Sequence, residues 1–550
     1  MKLIAVISAR GGSKGIINKN IKLLNGRPLI SYAINNAKSI GMFDEIVVTS
    51  DSEEILSIAS GCGVSVLNRT PELSGDNITL DPVVHDALVR SEEKNSTKYD
   101  VVVTLQPTSP LLSPVTLKSA VQKFIEDKAH DTYISACNRP HLAWTGDGDS
   151  KFVPAYKERL NRQKLPPYYM ETGGFLISRR ENVTERSRLG TAISVYPISE
   201  SEAVDIDNMN DWILCEAALS KKKIVFRADA FKELGMGHVY RASTLYQSML
   251  EHDSVVVLNK AYPMGISMIE KTGLRYRVIE TDEDFFALLN EMKPDIAVID
   301  CLNTAKEYIV KLKEIVPRVV VFEDEGEGSH CADVVINALY EKNTHEPNRY
   351  YGVKYCCLRD EFFIRTPKPF SQEVKNIFVS FGGSDPSDIT GKVYRIACSL
   401  IEKYPNLTFD FVVGLGFRDE RRGELVSIPG KINIVYNTPR ISEYMVKADM
   451  AVTSGGGTIF EVCSLGVPGI VLTQNLREIT HKFAQIHNGF INLGLGSETD
   501  TDTIKSTIEW LMNAPGIRKE MRGLMLSTNL RNGTKTVKNI ILGDYYEHGY

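Results

Sequence analysis

The stretch that decides the fold stands at the start of the chain, where residues 3–15 read LIAVISARGGSKG. A short apolar run that meets two glycines at once is typical of a buried strand ending in a tight loop. Similar apolar runs recur at residues 45–50, 99–106 and 173–178, and stretches with helical spacing lie between them at 28–41 and 52–63. This alternation predicts an α/β fold with mostly parallel sheets and helices on both faces.

The strand–helix alternation restarts twice along the 550 residues. A polar break at 220–223 precedes the apolar run KIVFRAD (223–229), and a third start, NIFVSFGGSDP (376–386), follows a proline-containing stretch. We therefore expect an N-terminal domain over 1–221 and two further α/β lobes over 223–370 and 371–550. Two successive lobes of this kind place a ligand cleft between them, at the carboxyl ends of their strands.

Composition excludes several classes of protein. The chain is 43% hydrophobic and 24% charged, which is typical of globular domains and not of a disordered chain. A net charge of −5 gives no overall basic balance, so we expect no nucleic-acid partner. No apolar run approaches the length of a membrane helix and no leader is apparent, so we expect no membrane partner and a cytoplasmic location. The nine cysteines show no paired spacing and are expected to be reduced thiols.

The first glycine loop is a candidate phosphate site. Its backbone N–H groups can approach phosphate oxygens closely, and Arg10 and Lys14 add positive charge where a triphosphate would develop negative charge during transfer. The loop lacks the GxxxxGK[ST] spacing of a P-loop, and a solvent-exposed turn is the alternative for such a loop taken alone.

Three later segments strengthen this interpretation. LQPTSPL (105–111) follows a buried strand, and the Gln106 amide can read a base edge as donor and acceptor. NRQKLP (161–166) adds cationic groups. Asp205-Ile206-Asp207 places two carboxylates on one side of an extended segment, which suits Mg²⁺, although a solvated surface pair is the commoner case.

Together these segments resemble the CMP-sialic acid synthetase family. The matched order is ARGGSKG, DEIVVTSD (44–51), RTPELSGD (69–76), LQPTSPL, NRQKLP and DIDNMNDW (205–212), which spans nearly all of 1–221. The resemblance implies a Rossmann-like nucleotidyltransferase domain that combines CTP with a nonulosonic acid to give a CMP-sugar and pyrophosphate. Whether the acid is of pseudaminic, legionaminic or N-acetylneuraminic type stays open. A homo-oligomer, as a dimer, is also implied.

The same resemblance assigns site residues by position. It places Arg10 and Lys14 in catalysis, Asp205 and Asp207 on Mg²⁺, and the nucleotide on Arg10, Gly11, Gly12, Ser13, Lys14, Asn20, Arg69, Gln106 and Arg162. Two departures fall near the sugar side. Leu112 stands where the family often has an arginine, and Glu171–Gly174 stand where it often has Asn-Gly.

The second half carries three further motifs. GMGHVYR (235–241) enters a helix, and the imidazole of His238 is a candidate general base for water, with a packed helix histidine as the alternative. FGGSDP (381–386) and SGGGTIFEVCSLG (454–466) are glycine loops of the kind that hold diphosphate, and the carboxylate of Glu461 can accept hydrogen bonds from ribose or serve the helix dipole.

With YGVKYCCLRDEF (351–362), these motifs resemble the UDP-sugar hydrolase of pseudaminic acid biosynthesis and related spore-coat polysaccharide proteins, over about 223–500. The resemblance implies a two-lobed GT-B-like unit that hydrolyses UDP-2,4-diacetamido-2,4,6-trideoxyhexose without a metal, using His238. It places UDP or the cleft wall at Gly382, Gly383, Ser384, Ser454, Gly455, Gly456 and Glu461, and the substrate at Asn475. A glycosyltransferase and a non-catalytic UDP-sugar-binding module are the alternatives for this half.

Overall fold

The computed structural model describes residues 1–12, 15–75, 77–146, 151–230, 235–342, 346–383, 385–414, 416–417 and 423–544. The chain divides into two compact units, Met1–Lys221 and Lys222–Tyr550. No described helix combines the length and apolar character needed to cross a membrane. All nine cysteines are free thiols.

Within its described residues, the N-terminal unit contains eleven strands and five helices. The strands are β1 (Leu3–Ser8), β2 (Leu23–Leu24), β3 (Arg27–Pro28), β4 (Glu45–Ser50), β5 (Ser65–Asn68), β6 (Val101–Leu105), β7 (Thr132–Asn138), β8 (Trp144–Gly146), β9 (Phe152–Pro154), β10 (Tyr169–Arg179) and β11 (Ile193–Pro197). The helices are α1 (Leu29–Ile40), α2 (Glu53–Gly61), α3 (Leu80–Lys94), α4 (Pro114–Glu126) and α5 (Met209–Leu219).

The main sheet of this unit has the order β11-β7-β10-β6-β1-β4-β5. All neighbours are parallel except β10, which runs antiparallel to both β6 and β7. Alternate residues of β1 bury on opposite faces: Leu3, Ala5 and Ile7 join one core and Ile4 and Val6 join another. Because both faces are covered, the strand reads as a continuous apolar run, as expected for a parallel sheet.

The C-terminal unit begins with a lobe of seven described strands. They are β12 (Lys223–Ala228), β13 (Asp253–Asn259), β14 (Tyr276–Ile279), β15 (Ile296–Asp300), β16 (Arg318–Phe322), β17 (Val334–Asn337) and β18 (Arg349–Tyr351). Their order is β14-β13-β12-β15-β16-β17-β18, all parallel. The helices of this lobe are α6 (Gly237–Ser248), α7 (Pro263–Thr272), α8 (Asp282–Met292) and α9 (Lys306–Ile315).

A second parallel sheet follows in the same unit. Its described strands are β19 (Asn376–Ser380), β20 (Thr408–Val413), β21 (Ile432–Tyr436), β22 (Met450–Thr453), β23 (Gly469–Thr473) and β24 (Phe490–Leu495), in the order β21-β20-β19-β22-β23-β24. Its helices are α10 (Ile389–Lys403), α11 (Ser442–Met445), α12 (Thr458–Ser464), α13 (Leu476–Ile479), α14 (Thr501–Met512), α15 (Pro515–Ser527) and α16 (Gly533–Leu542). The expected α/β class, with a two-lobed GT-B-like second unit, is confirmed.

The last helix corrects one expectation. We expected all of 371–550 to form the second lobe, but α16 returns to the first lobe. Its apolar residues Val537, Ile540 and Ile541 share a core with Ile224 and Phe226 of β12. A stripe at positions i, i+3 and i+4 buries well against an apolar sheet face, and this helix finds that face on the first lobe.

Candidate active sites

The glycine loop after β1 is anchored on both sides. The Ala9 N–H donates to the Thr49 carbonyl at 3.1 Å, and the Gly11 N–H donates to Asp51 Oδ1 at 2.9 Å. Buried Asn20 donates from Nδ2 to the Arg10 carbonyl at 2.9 Å, so it shapes the loop backbone. Ser13 and Lys14, which we expected on the triphosphate, lie outside the described residues.

Arg69 lies beneath this loop. One of its terminal nitrogens donates to Ser8 Oγ at 2.9 Å, to the Ala9 carbonyl at 3.0 Å and to the Thr49 carbonyl at 2.9 Å. Burial lowers the pKa of its guanidinium. Arg69 therefore joins the ends of β1 and β4, and a direct contact with the nucleotide stays a prediction.

The two aspartates lie against the same loop. A Cβ atom added at Gly15 would lie 2.6 Å from the Asp207 carbonyl oxygen, so only glycine fits there. Lys19 Nζ donates to the Ile206 carbonyl. These contacts bring together two motifs that are about 190 positions apart in the chain.

The carboxylates have the chemistry of a cation site. Asp205 Oδ1 is buried without a hydrogen-bond partner, and burial, together with the Asp207 charge, raises the pKa of Asp205. A buried carboxylate beside a second one gains most from a cation, and Mg²⁺ commonly takes one or two carboxylates and completes its shell with water and substrate phosphates. Across the described ranges no cluster of three or more His, Cys, Asp or Glu forms a protein-only metal site.

Gly173 accounts for part of the difference from the family pattern at 171–174, where the family often has Asn-Gly. A Cβ atom added at this position would lie 2.9 Å from both Asp205 Oδ2 and Ser109 Oγ. The strand pairing of β10 with β7 also shifts register between Glu171 and Leu176. Sequence reasoning missed Ser109, although it lies in the LQPTSPL loop, because a serine in such a loop has no spacing signal of its own.

The other predicted residues of this unit are spread out. Gln106 is half-buried and directly follows β6, the neighbour of β1. Arg162 is exposed in the short helical turn Arg162–Lys164. Leu112 packs into the main core, so the residue at the family's arginine position contributes no charge.

The C-terminal unit contains a cavity of about 420 Å³ between its two lobes. The carboxyl ends of both sheets meet there, as in other open α/β folds. The walls include the glycine turn before α6, both later glycine loops and a set of ionisable side chains: His238, Arg241, Glu323, Arg359, Glu461, Glu478 and His481.

His238 is held by a carboxylate. It lies in the first turn of α6, and its Nδ1 lies 2.5 Å from Oδ1 of Asp300, the last residue of β15. Both side chains are buried. Because an ionised carboxylate only accepts, Nδ1 carries the proton and Nε2 keeps its lone pair for another partner.

Arg241 keeps that carboxylate ionised. It donates from Nε to Asp300 Oδ2 at 2.7 Å and from a terminal nitrogen to Oδ1 at 2.7 Å, and its other terminal nitrogen lies 2.5 Å from Glu323 Oε1. Burial opposes ionisation of Asp300, but the charge of Arg241 and the hydrogen bonds from His238 and Arg241 outweigh it and lower its pKa to about 2. Sequence reasoning missed Asp300, Arg241 and Glu323 as site residues.

Two residues at the same edge have left-handed backbone. Leu302 has φ +68° and Glu323 has φ +50°, and both line the cavity just beyond β15 and β16. Left-handed backbone is costly for residues of this size and persists where the surrounding structure requires it, often at functional sites.

Glycines let the two lobes approach. A Cβ atom added at Gly383 would lie 3.1 Å from the Met236 nitrogen, which belongs to the turn before α6. One added at Gly414 would lie 2.5 Å from the carbonyl oxygens of Gly382 and Gly383. The neighbouring Ser384, predicted to line the cleft, is outside the described part of the chain.

The predicted nucleotide loop of the second lobe has protein partners. Ser454 is buried, and the Gly455 N–H donates to Glu478 Oε2 at 3.0 Å. Glu461 accepts from Nε and a terminal nitrogen of Arg359 at 2.8 and 2.7 Å, so its carboxylate is ion-paired. Burial raises the pKa of Glu461, and Arg359 opposes that shift. Arg359 lies in the motif YGVKYCCLRDEF (351–362), and its place in that motif could have marked it as a candidate site residue.

Asn475 lines the cavity and also caps a helix. It is exposed at the start of α13, with Oδ1 accepting from the Glu478 N–H at 3.0 Å. Its carboxamide nitrogen is a donor by chemistry, and a substrate contact through it stays a prediction.

The sheets define a Rossmann-like α/β domain followed by a two-lobed GT-B-like unit. The chain belongs to the cytidylyltransferase family: the family profile described as Cytidylyltransferase matches residues 4–187. The pseudaminic acid cytidylyltransferase of Campylobacter jejuni is 43% identical over 217 residues, which cover 38% of this chain and 93% of that protein. The chain is thus an enzyme with a cytidylyltransferase domain.

A second relative matches the whole chain. It is the Helicobacter pylori protein named pseudaminic acid cytidylyltransferase and UDP-2,4-diacetamido-2,4,6-trideoxy-beta-L-altropyranose hydrolase, which is 22% identical over 573 residues, 100% of this chain and 98% of that protein. The chain covers only part of some other relatives. A Methanocaldococcus jannaschii protein is 32% identical over 273 residues, which cover 46% of this chain and 56% of that protein. Among solved structures, Acinetobacter baumannii MurG covers 59% of this chain and 99% of its own at 14% identity, with a TM-score of 0.42.

Proposed function

We propose that the chain is a bifunctional enzyme of nonulosonic acid biosynthesis. Its N-terminal unit joins CTP and a pseudaminic-type acid into a CMP-sugar and pyrophosphate. Its C-terminal unit hydrolyses UDP-2,4-diacetamido-2,4,6-trideoxyhexose and releases UDP. The names of the Campylobacter and Helicobacter relatives support both substrates. The observation that carries the second activity is His238, which lines the interlobe cavity and is paired with buried Asp300.

In the N-terminal unit, the sugar hydroxyl attacks the α-phosphate and pyrophosphate leaves. Such transfers need alignment and charge neutralisation more than a covalent nucleophile. Arg10 and Lys14 neutralise the pyrophosphate as it leaves, and Asp205 and Asp207 would hold Mg²⁺. When bound, the ion supplies Lewis-acid stabilisation of the phosphate oxygens.

In the C-terminal unit, water attacks the anomeric carbon and the bond to the diphosphate oxygen breaks. His238 Nε2 takes the proton of the water, and Asp300 stabilises the imidazolium through Nδ1. Arg241 holds Asp300 in its ionised form, in which the carboxylate accepts the hydrogen bond from Nδ1–H.

Two product assays test the proposal. Pyrophosphate release is measured with CTP, Mg²⁺ and a panel of pseudaminic, legionaminic and N-acetylneuraminic acids, and we expect the pseudaminic acid to be turned over fastest. UDP release is measured with diacetamido-trideoxyhexose nucleotides and no acceptor. UDP release that requires an added acceptor would make the second unit a glycosyltransferase, and tight UDP binding without turnover would make it a binding module.

We also propose that the enzyme forms a homodimer. Large apolar side chains are exposed on and beside the β8–β9 hairpin of the N-terminal unit: Trp144, Phe152, Val153, Tyr168 and Tyr169. Exposed clusters of this kind are typical of interfaces. Sedimentation should give twice the chain mass, and charged substitutions at Trp144 and Phe152 should yield monomers.

A further inference from the structure

One carboxylate, that of Glu478, occupies a backbone donor of the predicted diphosphate loop at 454–466. Glu478 Oε2 accepts from the Gly455 N–H at 3.0 Å and from the Gln474 N–H at 2.8 Å. The other oxygen, Oε1, lies 3.4 Å from the position a Cβ atom would take at Gly456. The side chain lines the interlobe cavity and belongs to α13, whose start is capped by Asn475. Glu478 thus places a negative charge at the loop where the proposed function places a diphosphate.

The surroundings of Glu478 do little to neutralise it. Burial, together with the Asp385 charge, raises the pKa of Glu478 against the two backbone N–H groups that lower it. The neighbouring cation, Arg477, points elsewhere: it donates to the Glu323 carbonyl at 2.7 Å and to the Tyr340 hydroxyl at 2.9 Å. His481 lies beyond Gly455, with Nδ1 2.8 Å from its carbonyl, and burial lowers the pKa of the His481 imidazole.

We infer that Glu478 determines how tightly the second unit holds a nucleoside diphosphate, because its charge competes with the phosphates for the Gly455 N–H and repels them. This rests on the proposed function only in placing the nucleotide in the cavity. A hydrolase benefits from weak product binding, since a tightly held UDP limits turnover. The side chain also supports the loop, so its removal should raise UDP affinity less than its neutralisation does.

The test compares Glu478→Gln with Glu478→Ala in the full-length protein. Glutamine keeps an oxygen that can accept both N–H groups but carries no charge, whereas alanine removes both. Glu402→Gln, on an exposed position of α10, is the matched control for loss of one negative charge. Dissociation constants of UDP and of uridine, which has no phosphate, are measured by calorimetry for all four proteins.

We expect Glu478→Gln to bind UDP about fivefold or more tightly than the wild type, the scale of removing one nearby like charge, with uridine affinity unchanged. Glu478→Ala should bind UDP more weakly than Glu478→Gln, and Glu402→Gln should match the wild type. An unchanged or weaker UDP affinity in folded Glu478→Gln, or an equal gain for uridine, overturns the inference. Absence of UDP release alongside the expected affinities would overturn the hydrolase proposal alone.

Discussion

Asp300 and His238 are 62 positions apart in the chain, yet their side chains meet at 2.5 Å, and His238 lines the interlobe cavity. The pair joins the end of β15 to the first turn of α6, and Arg241, one turn further along α6, holds the same carboxylate. Asp300→Asn should lower kcat for UDP release about 100-fold or more, because asparagine no longer fixes the tautomer or stabilises the imidazolium.

The measurement is a kcat and KM split with the UDP-sugar. The KM should stay within about threefold, since Asp300 positions the base and does not contact the nucleotide. Asp282→Asn, exposed on α8, is the matched control. An unchanged kcat in folded Asp300→Asn would rule out the positioning role.

His238→Ala should abolish UDP release, by a factor of about 100 to 10,000, and leave cytidylyl transfer unchanged. The reason is that the imidazole acts only in the second unit. Both products are assayed on the same preparation, with His487→Ala, at an exposed position, as control. Loss of both activities with native folding would contradict independent sites.

Asp207→Ala should abolish CTP-dependent pyrophosphate release, because one of two proposed Mg²⁺ carboxylates is lost. Because Asp207 is exposed, its replacement by alanine should not unfold the unit, so the loss of activity would reflect the site. A Mg²⁺ titration of pyrophosphate release checks this, with Glu185→Ala as control and UDP release as an internal standard. Unchanged CMP-sugar formation would remove the metal assignment.

Gly414→Ala should displace the Gly382–Gly383 backbone, since its Cβ would lie 2.5 Å from two carbonyl oxygens. We expect a loss of about 1–3 kcal/mol in stability of the second unit and a marked fall in UDP release. Gly516→Ala is the matched control, because a Cβ atom there meets nothing within 4 Å. Thermal unfolding and UDP release of the two variants distinguish a local clash from a general effect of alanine.

Glu92 should make the N-terminal unit sensitive to acid. Its side chain is 2% exposed and pairs with Arg180 at 2.8 Å. Burial opposes ionisation, but hydrogen bonds from Arg180 and Lys98 outweigh it and lower the pKa from 4.5 to about 2. A lowered folded-state pKa stabilises the fold above the unfolded value, so about 3 kcal/mol should be lost as the pH falls from about 4.5 to about 2.

Glu92→Gln should show a smaller loss of stability over that pH range than the wild type, and Glu93→Gln, exposed beside it, should behave as the wild type. Urea unfolding at several pH values, followed by hydrogen–deuterium exchange of peptides from Met1–Lys221, isolates the effect in this unit. Equal acid sensitivity in all three proteins would contradict the ion-pair account.

Local sequence carried much of the fold. The apolar run at 3–8 and the helical spacing at 28–41 lie close to β1 and α1, because strand and helix period is a local property. Local periodicity could not predict that α16 packs on the first lobe. One apolar stripe on a helix predicts that the helix packs against another element. Which element that is depends on the tertiary fold of the whole chain.

For the sites, sequence alone determined the chemistry available: glycine loops for phosphate, an Asp-X-Asp pair for a cation and a histidine at a helix start. Only the tertiary structure decided which groups are partners. It pairs His238 with the Asp300 carboxylate and Glu461 with the Arg359 guanidinium. It also places the Glu478 carboxylate where it accepts the Gly455 N–H. Spacing along the chain sets which residues share a strand or helix face, whereas contacts between the ends of distant strands arise only when the sheets assemble.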